Sequence, residues 1–248
     1  MVKPLTAEEV FSHDQSRVDS IRSRLTTIKT TGKKDAKSSK ATITKSGISI
    51  GCANYIVTLG LGTPRKALSL VFDTASDLTW TQCQPCAQYC YSQQEPIFAP
   101  SASKTYSNAS CTCTQCSGLT SATGNRPGCS SSATCEYKDQ SSAGCFGKEK
   151  LTLSSNDIIN DFYFGCGQNN QVQSLGAAGV LGLGRDQLSF VSQTAEKYGK
   201  VFSYCLPSTS SATGHMNFGS RGVKFAPGLS YQTTPMPTYQ GRELVLLA

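Results

Sequence analysis

Histidine, tryptophan and methionine are scarce in the 248-residue sequence, which contains two, one and three of them. The two histidines, His13 and His215, leave few nitrogen ligands for a metal, and we expect neither a metal nor a cofactor. The sequence also lacks an apolar run of about eighteen residues, so no membrane-spanning helix is expected. Met1 to Val10 shows no apolar signal-peptide core.

Positive charge is concentrated near the N-terminus. Residues 1–50 hold ten Lys and Arg against five Asp and Glu, which accounts for +5 of the formal net charge of +7. The cluster between Lys33 and Lys45 has neither interleaved aromatic residues nor a recognition motif. It therefore predicts a solvated basic linker and no nucleic-acid partner.

Cysteine, in contrast, is abundant: there are twelve, most of them between positions 83 and 135. Such a density is typical of proteins that form disulfides in an oxidising compartment. Cys83 and Cys86 have the spacing of zinc ligands, but no regular second pair follows, so disulfides are favoured over zinc. Asn108 begins a glycosylation sequon and agrees with export. We expect the secretory pathway, and we attribute the lack of a signal-peptide core to a leader that this sequence does not include.

Helical patterns are confined to two segments. Residues 6–28 open with a capping box and predict a helix, and residues 29–50, rich in Lys, Ser and Thr, predict a linker. A second helix is predicted over Asp186–Tyr198. Residues 100–135 have few large apolar side chains and predict a loop excursion held by disulfides, outside the core.

From Asn54 onward, short runs rich in β-branched and aromatic residues alternate with turn residues. This pattern is typical of an all-β domain. The predicted strands are Tyr55–Leu59, Ala67–Phe72, Phe146–Leu153, Ile158–Phe164, Val201–Cys205 and His215–Phe218.

One apolar run, Leu68 to Phe72, leads directly into Asp73. Such a run predicts a buried central strand, and a buried carboxylate at its end needs hydrogen-bond donors. Thr74 and Ser76 offer hydroxyls within three residues, and the amides of the turn offer more. An aspartate that simply caps a turn at the end of a strand is the alternative interpretation.

An ordered set of motifs surrounds Asp73. It comprises Gly60–Pro64, Phe72–Ser76, Trp80, Gln82–Tyr91, Tyr163–Asn170, Ala178–Gly184 and Phe202–Leu206. The set resembles the pepsin-like aspartic proteases, and its cysteine-rich run resembles their plant, nepenthesin-like branch. The resemblance covers residues 51 to about 225. It implies an all-β fold: the N-terminal lobe of a bilobal pepsin-like acid protease, with a disulfide-rich insertion and one or two short helices.

The resemblance implies a mechanism with two carboxylates. Two aspartates, one from each lobe, share a proton because like charges so close together cannot both ionise. The ionised member activates a water that attacks a peptide carbonyl, and the protonated member polarises that carbonyl. Asp73 would be the aspartate of this lobe. Ser76 would hydrogen-bond Asp73, Thr74 would link the two catalytic loops, and Trp80 would support the flap tyrosine.

Three features depart from the family pattern. Ala75 replaces the glycine of Asp-Thr-Gly, and its added methyl group is unfavourable if φ is positive. The flap is short: either Tyr137 is the flap tyrosine or that tyrosine is missing, while Lys138 replaces a glycine and Asp139 takes the place of the flap aspartate. No second Asp-Thr-Gly or Asp-Ser-Gly follows, so we expect this chain to lack the second aspartate and the C-terminal lobe.

The implied organisation has three parts. Residues 1–50 would be a propeptide-like helix and basic linker, residues 51–234 the lobe, and residues 235–248 an atypical tail. Nine cysteines resemble the family's set for this lobe, and an odd number leaves one over, most simply Cys205, with its partner in the C-terminal lobe. Cys52, Cys113 and Cys145 are extra, so other pairings stay open. The nine are Cys83, Cys86, Cys90, Cys111, Cys116, Cys129, Cys135, Cys166 and Cys205.

By resemblance the function is aspartic-type endopeptidase activity on a peptide or protein substrate, in an extracellular or vacuolar setting. We expect this chain alone to be inactive, because one aspartate cannot form the pair. One alternative is a homodimeric protease in which two copies of Asp73 meet. Another is a catalytically dead module that binds a peptide or protein. A complete pair would need the missing lobe or a second copy.

Overall fold

A computed structural model describes residues 40–123, 128–129, 133–139, 141–154, 157–171, 176–219, 238–239 and 242–243. The helix predicted over residues 6–28, the basic segment up to residue 39 and most of the tail over 235–248 lie outside the described residues. Within the described part, strands dominate and helices are short, which confirms the all-β prediction.

Two strands are much longer than the others: β8 (Ser142–Ser154) and β9 (Asp157–Asn170) form an extended antiparallel hairpin. The other strands are β1 (Lys40–Ser46), β2 (Tyr55–Leu61), β3 (Lys66–Asp73), β4 (Trp80–Gln82), β5 (Ser107–Asn108), β6 (Gly128–Cys129), β7 (Cys135–Lys138), β10 (Gly179–Gly182), β11 (Phe202–Cys205), β12 (Thr213–Phe218), β13 (Thr238–Tyr239) and β14 (Arg242–Glu243). The helices are α1 (Thr114–Thr123), α2 (Phe190–Gln193) and α3 (Ala195–Tyr198), and 3₁₀ turns cover Gly47–Ile50 and Pro100–Ala102.

Among the described residues, twelve strands form one sheet. Its order is β11-β12-β1-β2-β3-β10-β4-β9-β8-β7-β6, with β5 paired to β8, while β13 and β14 pair only with each other. Most neighbours are antiparallel, but β10 runs parallel to β3, with Leu181 opposite Phe72 and Gly182 opposite Asp73. Since parallel strands end at the same edge of a sheet, the loops after β3 and β10 lie side by side.

Close backbone packing holds β10 between β3 and β4. Gly179 pairs with Thr81 of β4, and a Cβ at Gly179 would collide with the carbonyl oxygen of Trp80. The glycines of Ala178–Gly184 therefore allow this segment to pack directly on the backbone of β4 and of the loop after Asp73.

Apolar side chains are buried in two clusters. In the first, the ring of Phe190 lies 4.6 Å from that of Phe218 and 5.8 Å from that of Phe162, measured between centroids. The second includes Trp80 and Tyr137, each 2% exposed. Burial of one such side chain contributes about 1.5–3 kcal/mol, so the two clusters supply most of the drive for folding.

The structure corrects the linker predicted for residues 29–50. Lys40–Ser46 is strand β1, which pairs with β12 along its length and with β2 at its end. Thr44 is fully buried between these neighbours. The alternation of threonine and isoleucine suits a strand, and pairing on both sides outweighs the flanking lysines. The sheet therefore begins before residue 51.

The single helix predicted over Asp186–Tyr198 is also wrong in its extent. Helix α2 begins after Ser189, whose hydroxyl accepts a hydrogen bond from the Ser192 amide at 3.2 Å. Thr194 interrupts the helical path with φ −102° and ψ 9°, and its hydroxyl bonds back to the Phe190 carbonyl at 2.8 Å. Hydroxyl side chains compete for backbone partners, and here that competition divides the segment into α2 and α3.

The excursion over residues 100–135 is held by two disulfides, as predicted, but it does contribute to the core. It contains helix α1, on which Cys116 and Leu119 are almost fully buried. The prediction failed because α1 presents few large apolar residues. Its place in the core is set by the Cys116–Cys135 disulfide and not by a hydrophobic stripe.

All twelve cysteines lie among the described residues. Eight of the nine family-like cysteines pair, as Cys83–Cys166, Cys86–Cys90, Cys111–Cys129 and Cys116–Cys135. Cys205 is exposed on β11 and forms none of these disulfides. The extra cysteines Cys52, Cys113 and Cys145 form none of them either. Cys205 is therefore the one family-like cysteine left over, as expected.

Two of these disulfides close loops of very different length, and their removal should differ in cost. The pair Cys83→Ala and Cys166→Ala opens a loop of separation 83, whereas Cys86→Ala and Cys90→Ala opens one of separation 4. The loop-entropy relation predicts losses of about 4.5 and about 2 kcal/mol in the free energy of unfolding. Urea denaturation followed by tryptophan fluorescence measures both. Equal losses would contradict an entropic origin.

Candidate active site

Asp73 is the last residue of β3 and only 8% of its surface is exposed. Its carboxylate has donors on both oxygens: the Ala75 amide donates to Oδ1 at 2.9 Å and the Ser76 hydroxyl donates to Oδ2 at 2.6 Å. The run of apolar residues before it thus delivers a buried carboxylate into a turn that supplies its partners. The hydrogen bond from Ser76 to Asp73 that the resemblance implied is present.

Ala75 does not distort this turn. Among the described residues, the non-glycine residues with positive φ are Ala133 and Asp161, so Ala75 adopts backbone angles open to any L-residue. Its amide still donates to Asp73, and its side chain is half-buried. The strain considered for an alanine at this position is therefore not present.

The loop after β10 braces the loop of Asp73 through three backbone amides. Leu183 N donates to the Asp73 carbonyl at 2.9 Å and Gly184 N to the Ser76 carbonyl at 2.8 Å. Asp186 N donates to the Asp77 carboxylate at 3.0 Å. Parallel pairing of β3 and β10 places these donors opposite their acceptors. The turn after Asp73 is therefore held by the loop after β10 as well as by its own side chains.

Asp77 was not among the predicted site residues, yet the residue is only 6% exposed and its carboxylate is central to this bracing. Gly184 packs so closely that a Cβ there would collide with Asp77 Oδ1. A sequence signal was present: a second aspartate follows Asp73 after three small residues and precedes Leu78 and Trp80. Its partner, the Asp186 amide, is 109 residues distant and only the fold reveals it.

Trp80 and Thr74 have different environments. Trp80, in β4, is buried between Val180 of β10 and Gly165 of β9 and belongs to the same apolar cluster as Tyr137. Thr74 is half-buried in the turn after Asp73. The link that Thr74 would make to a second catalytic loop stays a prediction.

The segment predicted as the flap is the antiparallel pair of β7 and β8, with Tyr137 opposite Gly144. Asp139 Oδ1 closes its turn by accepting from the amides of Ser141 and Ser142 at 2.8 and 2.7 Å. Asp139 therefore has a structural part in the flap. Lys138 follows Tyr137 on the exposed face.

Tyr137 lies beneath the hairpin and is only 2% exposed. Its ring packs on the backbone of Gly165, where a Cβ would overlap it, and its hydroxyl shares a 2.5 Å hydrogen bond with the Ser142 hydroxyl. Burial, with the nearby Asp139 charge adding to it, raises the pKa of Tyr137 well above its usual value. Tyr137 is thus anchored inside the lobe, and its assignment as the flap tyrosine stays a prediction.

A series of hydrogen bonds between buried side chains connects Tyr137 to the start of the cysteine-rich insertion, Gln82–Tyr91. The Ser142 hydroxyl donates to Asn170 Oδ1 at 2.8 Å, and Asn170 Nδ2 donates to Gln82 Oε1 at 3.4 Å. Gln82 Nε2 then donates to Gln93 Oε1 at 2.6 Å. Buried amides are costly unless satisfied, so these partners fix the relative positions of the flap and the insertion.

Other predicted features can be located. Among the described residues, no group of three or more His, Cys, Asp or Glu side chains is placed to hold a metal. No helix within the described ranges is long and apolar enough to cross a membrane. Asn108 is exposed in β5, and its Oδ1 accepts from the Tyr106 hydroxyl at 2.6 Å. Its glycosylation and the secretory location stay predictions.

The chain is similar to known proteins. Residues 55–220 match the family model described as Xylanase inhibitor N-terminal. The Arabidopsis thaliana protein called Aspartyl protease family protein At5g10770 is 54% identical over 227 residues, which is 88% of this chain and 48% of that protein. The chain belongs to the plant aspartic protease family. It spans about half the length of the curated relatives that it matches.

Two further similarities bear on the branch and the fold. Aspartic proteinase nepenthesin-1 of Nepenthes gracilis is 39% identical over 196 residues, covering 76% of this chain and 43% of that protein. The predicted nepenthesin-like branch is thereby confirmed. The crystal structure of basic 7S globulin from soybean superimposes with a TM-score of 0.54 at 23% identity, over 73% of this chain and 50% of that one. It shares the fold.

The contact between Gly184 and Asp77 yields a prediction. Gly184→Ala should lower the free energy of unfolding by about 1–3 kcal/mol, because the new methyl group must displace a buried carboxylate. Gly118→Ala is the matched control: in α1 its Cβ would meet Leu188 at an ordinary 3.7 Å. That variant should be neutral, or more stable by up to about 1 kcal/mol. Denaturant unfolding of both variants decides, and an unchanged Gly184→Ala stability would contradict the close contact.

Proposed function

We propose that residues 40–219 form the half of an aspartic endopeptidase that carries one of its two catalytic carboxylates. The observation that supports this most is Asp73, a buried carboxylate with a donor on each oxygen in a turn braced by the loop after β10. A carboxylate positioned in this way is the kind of group that activates a water for attack on a peptide carbonyl.

A second carboxylate is required by the chemistry. The attacking water must lose a proton while the scissile carbonyl gains one, and two carboxyl groups that share a proton supply both. Within 40–219, Asp77 and Asp186 are buried carboxylates on the two loops beside Asp73, and each already accepts a backbone amide, Asp77 from Asp186 and Asp186 from Leu188. We therefore propose that the second catalytic aspartate comes from outside these residues, and that the 248-residue chain alone does not hydrolyse peptides.

The inactivity of the isolated chain is directly testable. The purified chain should cleave an unfolded protein substrate at pH 3–6 no faster than its Asp73→Asn variant, which keeps the fold and loses one carboxylate charge. Peptide release is followed by mass spectrometry. Acid proteolysis that Asp73→Asn abolishes would overturn the proposal. Sedimentation would then show whether a second copy supplies the other Asp73.

The catalytic competence of Asp73 needs a complete pair. A chimera in which residues 40–219 replace the matching half of the 54%-identical Arabidopsis relative should cleave peptides at acid pH. Asp73→Asn in the chimera should lower kcat by about a thousandfold or more. A folded but inactive chimera, alongside an active parent, would contradict the proposed function and would favour a peptide-binding module.

The same chimera tests Ala75. Because the Ala75 amide reaches Asp73 at 2.9 Å without positive φ, Ala75→Gly should raise kcat by less than about tenfold. A displaced carboxylate would instead give a gain of about a hundredfold. Ser76→Ala is the comparison variant: it removes the hydroxyl that donates to Asp73 Oδ2, and it should lower kcat more than Ala75→Gly changes it.

A further inference from the structure

Three cysteines lie within six residues at the start of α1. Cys111 and Cys116 belong to disulfides, with Cys129 and Cys135 respectively, whereas Cys113 is a half-buried thiol between them. Cys113 is one of the extra cysteines for which the family pattern provides no role. The chain therefore holds a thiol beside two disulfides, in a segment that is joined to the flap.

Cys113 occupies the N-cap position of α1. Its carbonyl accepts from the Ser117 amide at 3.4 Å, and its sulfur accepts from the Cys116 amide at 3.3 Å. An oxygen from Ser, Thr or Asp usually fills this position. The sulfur instead lies one turn from Cys116, at Cys-x-x-Cys spacing. Helix N-termini and this spacing are the settings in which cysteine sulfurs act as nucleophiles.

The neighbouring disulfide joins Cys116 of α1 to Cys135 in the flap strand β7. Cys135 is the first residue of β7, is fully buried, and lies two residues before Tyr137. Its bond to Cys116 fastens the flap strand to α1. Without that bond, β7 would be held by its short pairings with β6 and β8 and by the packing of Tyr137.

We propose that Cys113 and Cys116 form a thiol–disulfide exchange site whose leaving group is Cys135. The Cys113 thiolate attacks Cys116 Sγ, the Cys113–Cys116 bond forms, and the Cys116–Cys135 bond breaks. Cys135 leaves as a thiolate and takes up a proton, which replaces the one that Cys113 lost. One disulfide and one thiol are present before and after, so the step needs no oxidant or reductant. It exchanges a bond that pins the flap for one within α1.

The alternatives within the chain are weaker. Attack of Cys113 on Cys111 would form a disulfide across one intervening residue, and the Cys113 sulfur is hydrogen-bonded to Cys116. Cys145 faces Cys166 across the β8–β9 pair, but burial and the nearby Glu136 raise the pKa of the Cys145 thiol. Since the thiolate is the attacking species, Cys145 is the poorer nucleophile and a suitable control position.

The experiment uses the full chain and two alkylating labels. Protein kept at low pH is shifted to about pH 8, where thiolates form, and samples are quenched over time with N-ethylmaleimide. The remaining disulfides are then reduced and capped with iodoacetamide, and tandem mass spectrometry identifies which cysteine carries the first label. We expect the label to move from Cys113 to Cys135. In Cys113→Ser, labelled Cys135 should be lower by about tenfold or more.

Controls separate exchange from loss of fold. Cys145→Ser and Cys205→Ser should label Cys135 as the wild-type chain does. In Cys135→Ser the native partner of Cys116 is removed, and Cys116 should form its disulfide with Cys113 instead. This second variant tests directly whether the Cys113–Cys116 bond can form. The proposal is overturned if wild-type Cys113 keeps the label at all times, if Cys129 is labelled instead, or if Cys113→Ser releases Cys135 equally. The readout is sulfur pairing, so the outcome does not depend on whether the protein is a protease.

Discussion

The parallel pairing of β3 with β10 is the contact on which the site depends. It places Gly182 beside Asp73, so that the backbone after β10 meets the backbone after β3. Three amide donors then cross between the loops, to two carbonyls and to the Asp77 carboxylate. The Asp73 carboxylate takes its own donors from Ala75 and Ser76, and the crossing amides hold in place the turn that supplies them. The glycines of the β10 segment are required because the backbones approach too closely for a side chain.

The second constraint is the attachment of the flap. The hairpin turn is closed by Asp139, its strand is joined to α1 through Cys135, and its tyrosine is buried on Gly165. A buried chain of hydrogen bonds continues from Tyr137 into the cysteine-rich insertion. The insertion therefore acts as a support for the flap. Changes in disulfide pairing would affect the β7–β8 hairpin through this connection.

Much of the site followed from the sequence, because its parts are local. Asp73, Ser76 and the apolar strand before them lie within nine residues, and hydrogen bonds between near neighbours can be anticipated from residue types. Asp77 could not be interpreted in the same way, since its partner at Asp186 depends on the sheet order. The backbone angles of Ala75 were likewise beyond the sequence, because alanine tolerates several conformations and the fold selects one.

The sequence predicted the fold class correctly, but it did not predict strand β1, helix α1 or the division between α2 and α3. Strands with strong β-branched patterns were found, whereas β1 was mistaken for a linker because its lysines concealed the alternation of threonine and isoleucine. Helix α1 was missed because a disulfide, and not an apolar stripe, holds it in the core. Thr194 divided a helix that periodicity alone made continuous. In each case a partner distant in the sequence, or a side chain competing for the backbone, decided the outcome.

The pairing of β1 with β12 has a consequence for synthesis. Lys40 faces Phe218 in that ladder, so the first described strand must wait for almost the last part of the sheet before one of its edges is covered. A ribosome that adds 5–20 residues per second needs roughly ten to thirty seconds to make the intervening segment. During that interval the edge of β1 that later pairs with β12 is open to other chains near the exit of the ribosomal tunnel. Its lysines at positions 40 and 45 are the kind of residue that keeps such an edge from joining another chain.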